Sequence, residues 1–161
     1  MPSLYPAPSE GDVEACLMGV ASAPARVTRL QSAEPEREPV GVMVEYVTEG
    51  NTLAAIAFAD HDAVNFVGGA VAAVEATTIQ ETNSASTLHD AAVDAFRRVA
   101  DALGTGLNGD YTPAVHVAQV HQLPGELSEE IKQLWRAPRG RRAYRVTVDE
   151  YGAGTVILYL N

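Results

Sequence analysis

Charged residues at helical spacing mark the first place where chemistry could sit. Asp90, Asp94, Arg97 and Asp101 follow one another by four, three and four positions, so on a helix they share one face. Carboxylates beside a guanidinium can hold a charged group of a substrate or partner. The same residues also read as a solvated face laced by i,i+4 pairs, Asp94 with Arg98 and Arg97 with Asp101. A second concentration of charge is Arg136, Arg139, Arg141, Arg142 and Arg145, with residues 136–142 reading as a basic loop. Guanidinium forks pair with carboxylates and phosphates, so this cluster is a candidate for binding a small anionic ligand or an acidic protein surface. It could equally balance the field of an acidic chain.

Other motifs are less specific. Gly104-Thr105-Gly106-Leu107-Asn108-Gly109 matches the GxGxxG spacing of a dinucleotide loop. That loop must follow a strand and open a helix, so that the pyrophosphate meets the helix N-terminus. Here the glycines follow a helical pattern and precede a strand, which reads as a helix terminator. His116 and His121, five apart on an expected strand, would point to opposite faces; His61 and His89, each followed by an acid, sit at expected helix starts. No HExxH, HxH or CxxC pattern is present, and no metal site or cofactor is expected. Cys16 lies on an apolar helical face and reads as a packing residue.

The chain of 161 residues fits one domain, long enough to need no disulfide or metal staple. Its hydrophobic fraction of 47% excludes a disordered chain. Cys16 is the single cysteine, which fits a reducing compartment. The N-terminus lacks a basic and then apolar leader pattern, and no apolar run reaches a membrane-spanning length, so a cytoplasmic location is expected with no membrane partner. A net charge of −10 argues against a nucleic-acid partner. The excess acid lies in residues 1–96, because the arginines offset it beyond that point.

The elements that would position these residues follow from periodicity and turn chemistry. Residues 1–9, with three prolines, read as a flexible tail, and residues 10–161 as a single α+β domain. Val13, Cys16, Leu17 and Val20 space a helix over 10–21, and residues 26–31 alternate as a short strand before a charged loop at 34–39. Strands over 40–47 and 53–59 flank a turn at 48–51. Asp60 is placed to cap a helix to about residue 74, whose Gly68-Gly69 pair would admit another helix at close range. Residues 76–86 read as a polar loop, and Thr87 to Asp90 as a loose capping box. The helix after it carries the apolar stripe Leu88, Ala92, Ala95, Phe96, Val99 and Leu103. A strand over 113–121, a helix over 123–135 and a hairpin of 143–149 with 155–160 complete the order. This is an α+β chain with a mainly antiparallel sheet and helices packed on it.

In that order, Thr52-Leu53-Ala54-Ala55-Ile56-Ala57-Phe58, the helix with Gly68-Gly69 and the segment Leu88 to Arg97 resemble the chemotaxis CheC/CheX phosphatase-like family, as does the closing hairpin with Tyr151-Gly152-Ala153-Gly154. The resemblance spans roughly residues 10–160. It implies a helix motif of an acid or serine, then Glu four positions on, then Asn three further on, with the amide placing the attacking water and the acid holding a lysine of a response regulator. The matching register puts Asp90 first, Asp94 at the acid and Arg97 at the amide. Arg97 has no acceptor atom to orient water. The resemblance therefore implies a non-catalytic protein-binding domain, capable of homodimerisation, in bacterial signalling or assembly. The alternatives are an aspartyl-phosphate phosphatase with an altered motif at Asp90, Asp94 and Arg97, and an anion binder using the arginines.

Overall fold

The computed structural model describes residues 3, 5–31, 39–108 and 113–161. Along the chain run α1 (Glu10–Met18), β1 (Ala25–Leu30), β2 (Gly41–Thr48), β3 (Leu53–Asp60), α2 (His61–Val71), α3 (Ala76–Ser84), α4 (Asp90–Leu107), β4 (Val115–Leu123), α5 (Glu129–Arg136), β5 (Gly140–Val148) and β6 (Gly152–Leu160). The strands form one antiparallel sheet of order β1-β5-β6-β3-β2-β4. This is the α+β architecture that the patterning predicts.

The sheet is buried on two sides, and β3 shows why. It is buried along nearly its whole length rather than alternating. Ala55, Ala57 and Ala59 face the larger core, shared with α1, α2 and α4. Leu53, Ile56 and Phe58 face a smaller core under α5, with Ile131 and Leu134. The small side chains admit the helices closely on one face, and the large ones fill the space beneath a single short helix on the other.

On the helical side, α2 lies against α4 at Gly68, where a Cβ would overlap the Ala92 backbone. The next residue, Gly69, meets the Ile79 side chain of α3. Thus the glycine pair serves two helices at once. The expected polar loop at 76–86 is in fact mostly α3. Its single buried residue, Ile79, fits against Gly69, so tertiary contact supplies what the polar sequence lacks.

A polar lock holds the same three helices. Asn65 is the one wholly buried polar residue among those described. Its Nδ2 donates to Asn83 Oδ1 at 3.0 Å and to the Thr87 carbonyl at 2.8 Å, while its Oδ1 accepts from the His89 amide at 2.9 Å. Asn83 in turn donates to Asp62, which lies 3.2 Å from His61 Nε2. Asp60 caps α2 as expected, accepting from the Ala63 amide at 2.8 Å, and it also accepts from the Thr155 amide of β6 at 3.0 Å. Burial pushes its carboxyl above the ordinary carboxylate value, partly offset by those two amides.

Several boundaries differ from the sequence reading. The N-terminal segment is docked at its described positions: Tyr5 is 4% exposed, Ser9 and Asp12 make a capping box for α1, and the Pro8 carbonyl accepts from Tyr144 and Arg142. An aromatic ring that can leave water outweighs the proline content there. Helix α1 stops at Met18, before Gly19. His89, not Thr87, caps α4, accepting from the Ala91 amide, while Thr87 closes α3 by donating to the Thr82 carbonyl. Gly104 and Gly106 lie inside α4, which ends at Leu107 with Asn108 as its C-cap. The Tyr46 ring packs against Gly104, where a Cβ would lie 3.1 Å from the ring and oblige it to shift slightly. Helix α5 begins only after Ser128, whose hydroxyl accepts from the Ile131 amide. Residues 34–38 of the expected charged loop lie outside those described.

Three stability outcomes follow, each measurable by urea denaturation. Gly68→Ala forces α2 away from α4 and costs roughly 1–3 kcal/mol. Asn65→Ala strands the His89 amide and the Thr87 carbonyl and costs roughly 2–4 kcal/mol. Asp60→Ala costs about 1–2 kcal/mol, whereas Asp60→Asn keeps the acceptor and stays within about 1 kcal/mol of the parent at pH 7. The raised Asp60 carboxyl means the folded chain holds its proton more tightly than the unfolded chain. Its contribution to stability is therefore greatest below the unfolded carboxyl value and falls as pH rises through the folded value. A pH series should lose that decline in Asp60→Asn.

Candidate functional site

Helix α4 has the stripe that the spacing predicts from Ala92 on, while Leu88 precedes the helix and is half-buried. Ala92, Ala95, Phe96, Val99, Ala100, Leu103 and Leu107 are buried, and Asp90, Asp94, Arg97 and Asp101 lie on the exposed side. The geometry commits Arg97. Its Nη2 donates to the Val117 carbonyl of β4 at 3.3 Å, and its Nε lies 3.6 Å from Asp101 Oδ1. The guanidinium thus bridges the helix to the strand beside it. The expected Asp94–Arg98 pair does not form, because Arg98 turns to the Val71 carbonyl of α2 at 3.2 Å. Asp90 and Asp94 are left as exposed carboxylates.

An acid and an amide at a three-residue spacing do occur elsewhere, as Asp62 and Asn65 on α2. Sequence reasoning took Asp62 as an acid at a helix start and gave Asn65 no role in a site. The available signal was an asparagine within a helix that is otherwise apolar on every side beyond its first two residues. Asn65 is nevertheless wholly buried, and each of its polar atoms is engaged with α3 or the start of α4. It positions helices and has no open face toward an incoming water.

The five arginines do not form one cluster. The strand begins at Gly140, so Arg141, Arg142 and Arg145 belong to β5 rather than to a loop, and strand alternation divides them. Arg142 shares the helical face with Tyr144, and both donate to the Pro8 carbonyl. Arg141 and Arg145 lie on the opposite face, with Ala143 between them in the smaller core. The Arg141 guanidinium sits 5.6 Å from the Tyr159 ring centroid. Tyr159 and Phe58 in turn flank Trp135 of α5, with ring centroids 6.3 Å and 6.1 Å away. Arg136 ends α5, and the Arg139 amide donates to the Leu160 carbonyl, bringing the remaining two to the same end of the α5 layer.

His61 opens α2 and His89 caps α4, at helix starts as expected, but His116 and His121 do not point to opposite faces. A bulge in β4 lets Val117 face Tyr46 and His121 face Met43, with Ala118 as the extra residue. His116 and His121 consequently lie on the same side of the sheet, and a strict two-residue alternation fails. His121 Nε2 is 3.2 Å from Glu45 Oε2. Among the described residues no group of three or more His, Cys, Asp or Glu is arranged to hold a metal ion. Cys16 is half-buried beside Gly106, and burial, reinforced by Asp12, pushes its thiol up. That disfavours the nucleophilic thiolate. A void of about 10 Å³ between α1, α2, α4 and the sheet is lined by aliphatic and aromatic side chains, Val13, Leu17 and Phe96 among them. No helix among the described residues is long and apolar enough to cross a membrane.

No family profile and no curated protein sequence matches the chain. Solved structures do. The FliM of an H. pylori FliM–SpeE complex superposes with a TM-score of 0.59 at 5% identity, covering 94% of this chain and 80% of that one. The H. pylori FliM middle domain gives 0.56 at 3% identity, with 94% and 84% covered. Thermotoga maritima FliY gives 0.56 at 8% identity, with 96% and 84% covered. Those proteins share a fold group with CheX. With the helices and the six-stranded antiparallel order described above, the chain has the CheC/CheX/FliM fold.

Proposed function

We propose that this chain is a cytoplasmic protein-binding domain of chemotaxis or flagellar type that does not hydrolyse phosphoaspartate. The observation that carries this reading is the engagement of Arg97. A phosphatase motif of this kind needs a water-orienting amide at that position on an exposed helix. A guanidinium donates only, and this one is tied to the Val117 carbonyl and to Asp101. Removing the acceptor removes the group that would align water for in-line attack. The acid–amide pair that the chain does retain, Asp62 and Asn65, is consumed in holding α2, α3 and α4 together. Protein binding is supported by the fold shared with a FliM that has been seen in complex with a protein, SpeE.

The test is the decay of a phosphorylated response regulator with and without this protein at equal concentration. The expected rate matches the buffer blank. Acceleration that disappears in both Asp94→Ala and Arg97→Ala would overturn the non-catalytic reading and establish α4 as an altered active site.

A further inference from the structure

We infer that the end of the α5 layer, around Trp135, Arg136, Arg139 and Arg141, is a docking surface for an acidic segment of a partner protein carrying an aromatic side chain. The assignment rests on the protein-binding reading above. It starts from a mismatch of charge. The chain has 21 acidic residues against 11 basic ones, so a guanidinium has many possible partners. Among the described residues Arg26, Arg97 and Lys132 are the only Arg or Lys side chains in ion pairs; Arg29, Arg98 and Arg142 form none, and neither do the four that lie together in sequence at the end of α5 and on β5, Arg136, Arg139, Arg141 and Arg145. All four are exposed. Three of them, Arg136, Arg139 and Arg141, converge where α5 ends against β5 and β6.

The second element of the surface is aromatic. Trp135 is half-buried, set between Phe58 and Tyr159, with Arg141 lying over the Tyr159 ring. A guanidinium held over a ring by cation–π attraction still has N–H groups to offer a carboxylate. Tryptophan, tyrosine and arginine together are the residue types that dominate binding energy at protein interfaces. An acidic segment with an aromatic residue satisfies both halves, its ring on Trp135 and its carboxylates on Arg139 and Arg141. A lone anion would leave Trp135 unused. A nucleic acid would meet the repulsion of a chain with a net charge of −10.

Trp135 is the single tryptophan of the chain, so its emission and its indole N–H resonance report on this surface alone. The probe is a short synthetic peptide of alternating Glu and Phe, titrated into the full chain. A saturable change in Trp135 emission is expected, weakened by salt. The Arg139→Gln/Arg141→Gln double variant should bind roughly tenfold more weakly. Arg142→Gln, on the opposite face of the sheet, should bind like the parent. Far-UV circular dichroism establishes that each variant is folded. Four results would overturn the assignment: a silent Trp135, an equal response to a Gln/Phe peptide, saturation by inorganic phosphate alone, or tighter binding of single-stranded DNA. Phosphatase activity, by contrast, would overturn only the non-catalytic reading, and a silent Trp135 would leave that reading intact.

Discussion

The close approach of α2 to α4 governs the helical half of the molecule. Gly68 lets the two backbones meet at Ala92, and Gly69 simultaneously receives Ile79 of α3. A side chain at Gly68 would separate the helices and open the space beneath them. Because α2 is the helix that follows directly from the central strand β3, this contact also fixes α4 over the sheet, and with it the face that carries Asp90, Asp94 and Arg97. Asn65 adds direction to proximity. Its hydrogen bonds to Asn83, Thr87 and His89 define where α3 ends and where α4 begins. A buried amide is tolerable only when satisfied, so the lock favours one arrangement of three helices over near alternatives.

The two faces of the sheet are built on different terms. One carries a wide core under α1, α2 and α4, lined by alanines on β3. The other carries a compact core under α5 with larger side chains and the aromatic group of Phe58, Trp135 and Tyr159. The exposed side of α4 carries Asp90, Asp94 and Asp101 with Arg97 and Arg98, while the end of the α5 layer carries Arg136, Arg139 and Arg141.

Arg97 illustrates how one residue type changes the meaning of a helix face. At the position where the resemblance implies an amide, it acts as a strut between α4 and β4. The local spacing of charges is retained, and the acceptor chemistry is not. Asp94 stays exposed beside it but has no amide to work with. The fold similarity to FliM and FliY, at identities of 3% to 8%, carries architecture and no site residue.

The sequence by itself determined what local patterning controls. Alternation set β2, the turn at 48–51 set the return of the chain as β3, Asp60 set the start of α2, the apolar stripe set α4, and the turn chemistry set the closing hairpin. It also exposed the replaced amide, because residue type and helical register are both local properties. Tertiary structure decided the rest. Helix α3 has one apolar anchor and no capping side chain, so its seat on Gly69 and the hydrogen bonds of Asn83 and Gln80 with distant segments hold it as a helix. A single extra residue in β4 brought His116 and His121 to one face. The onset of β5 at Gly140 split five neighbouring arginines between two faces. The role of Asn65 depended on partners 18 to 24 residues away. Each of these turns on long-range register or on a contact between distant segments, which a period read along the chain does not contain.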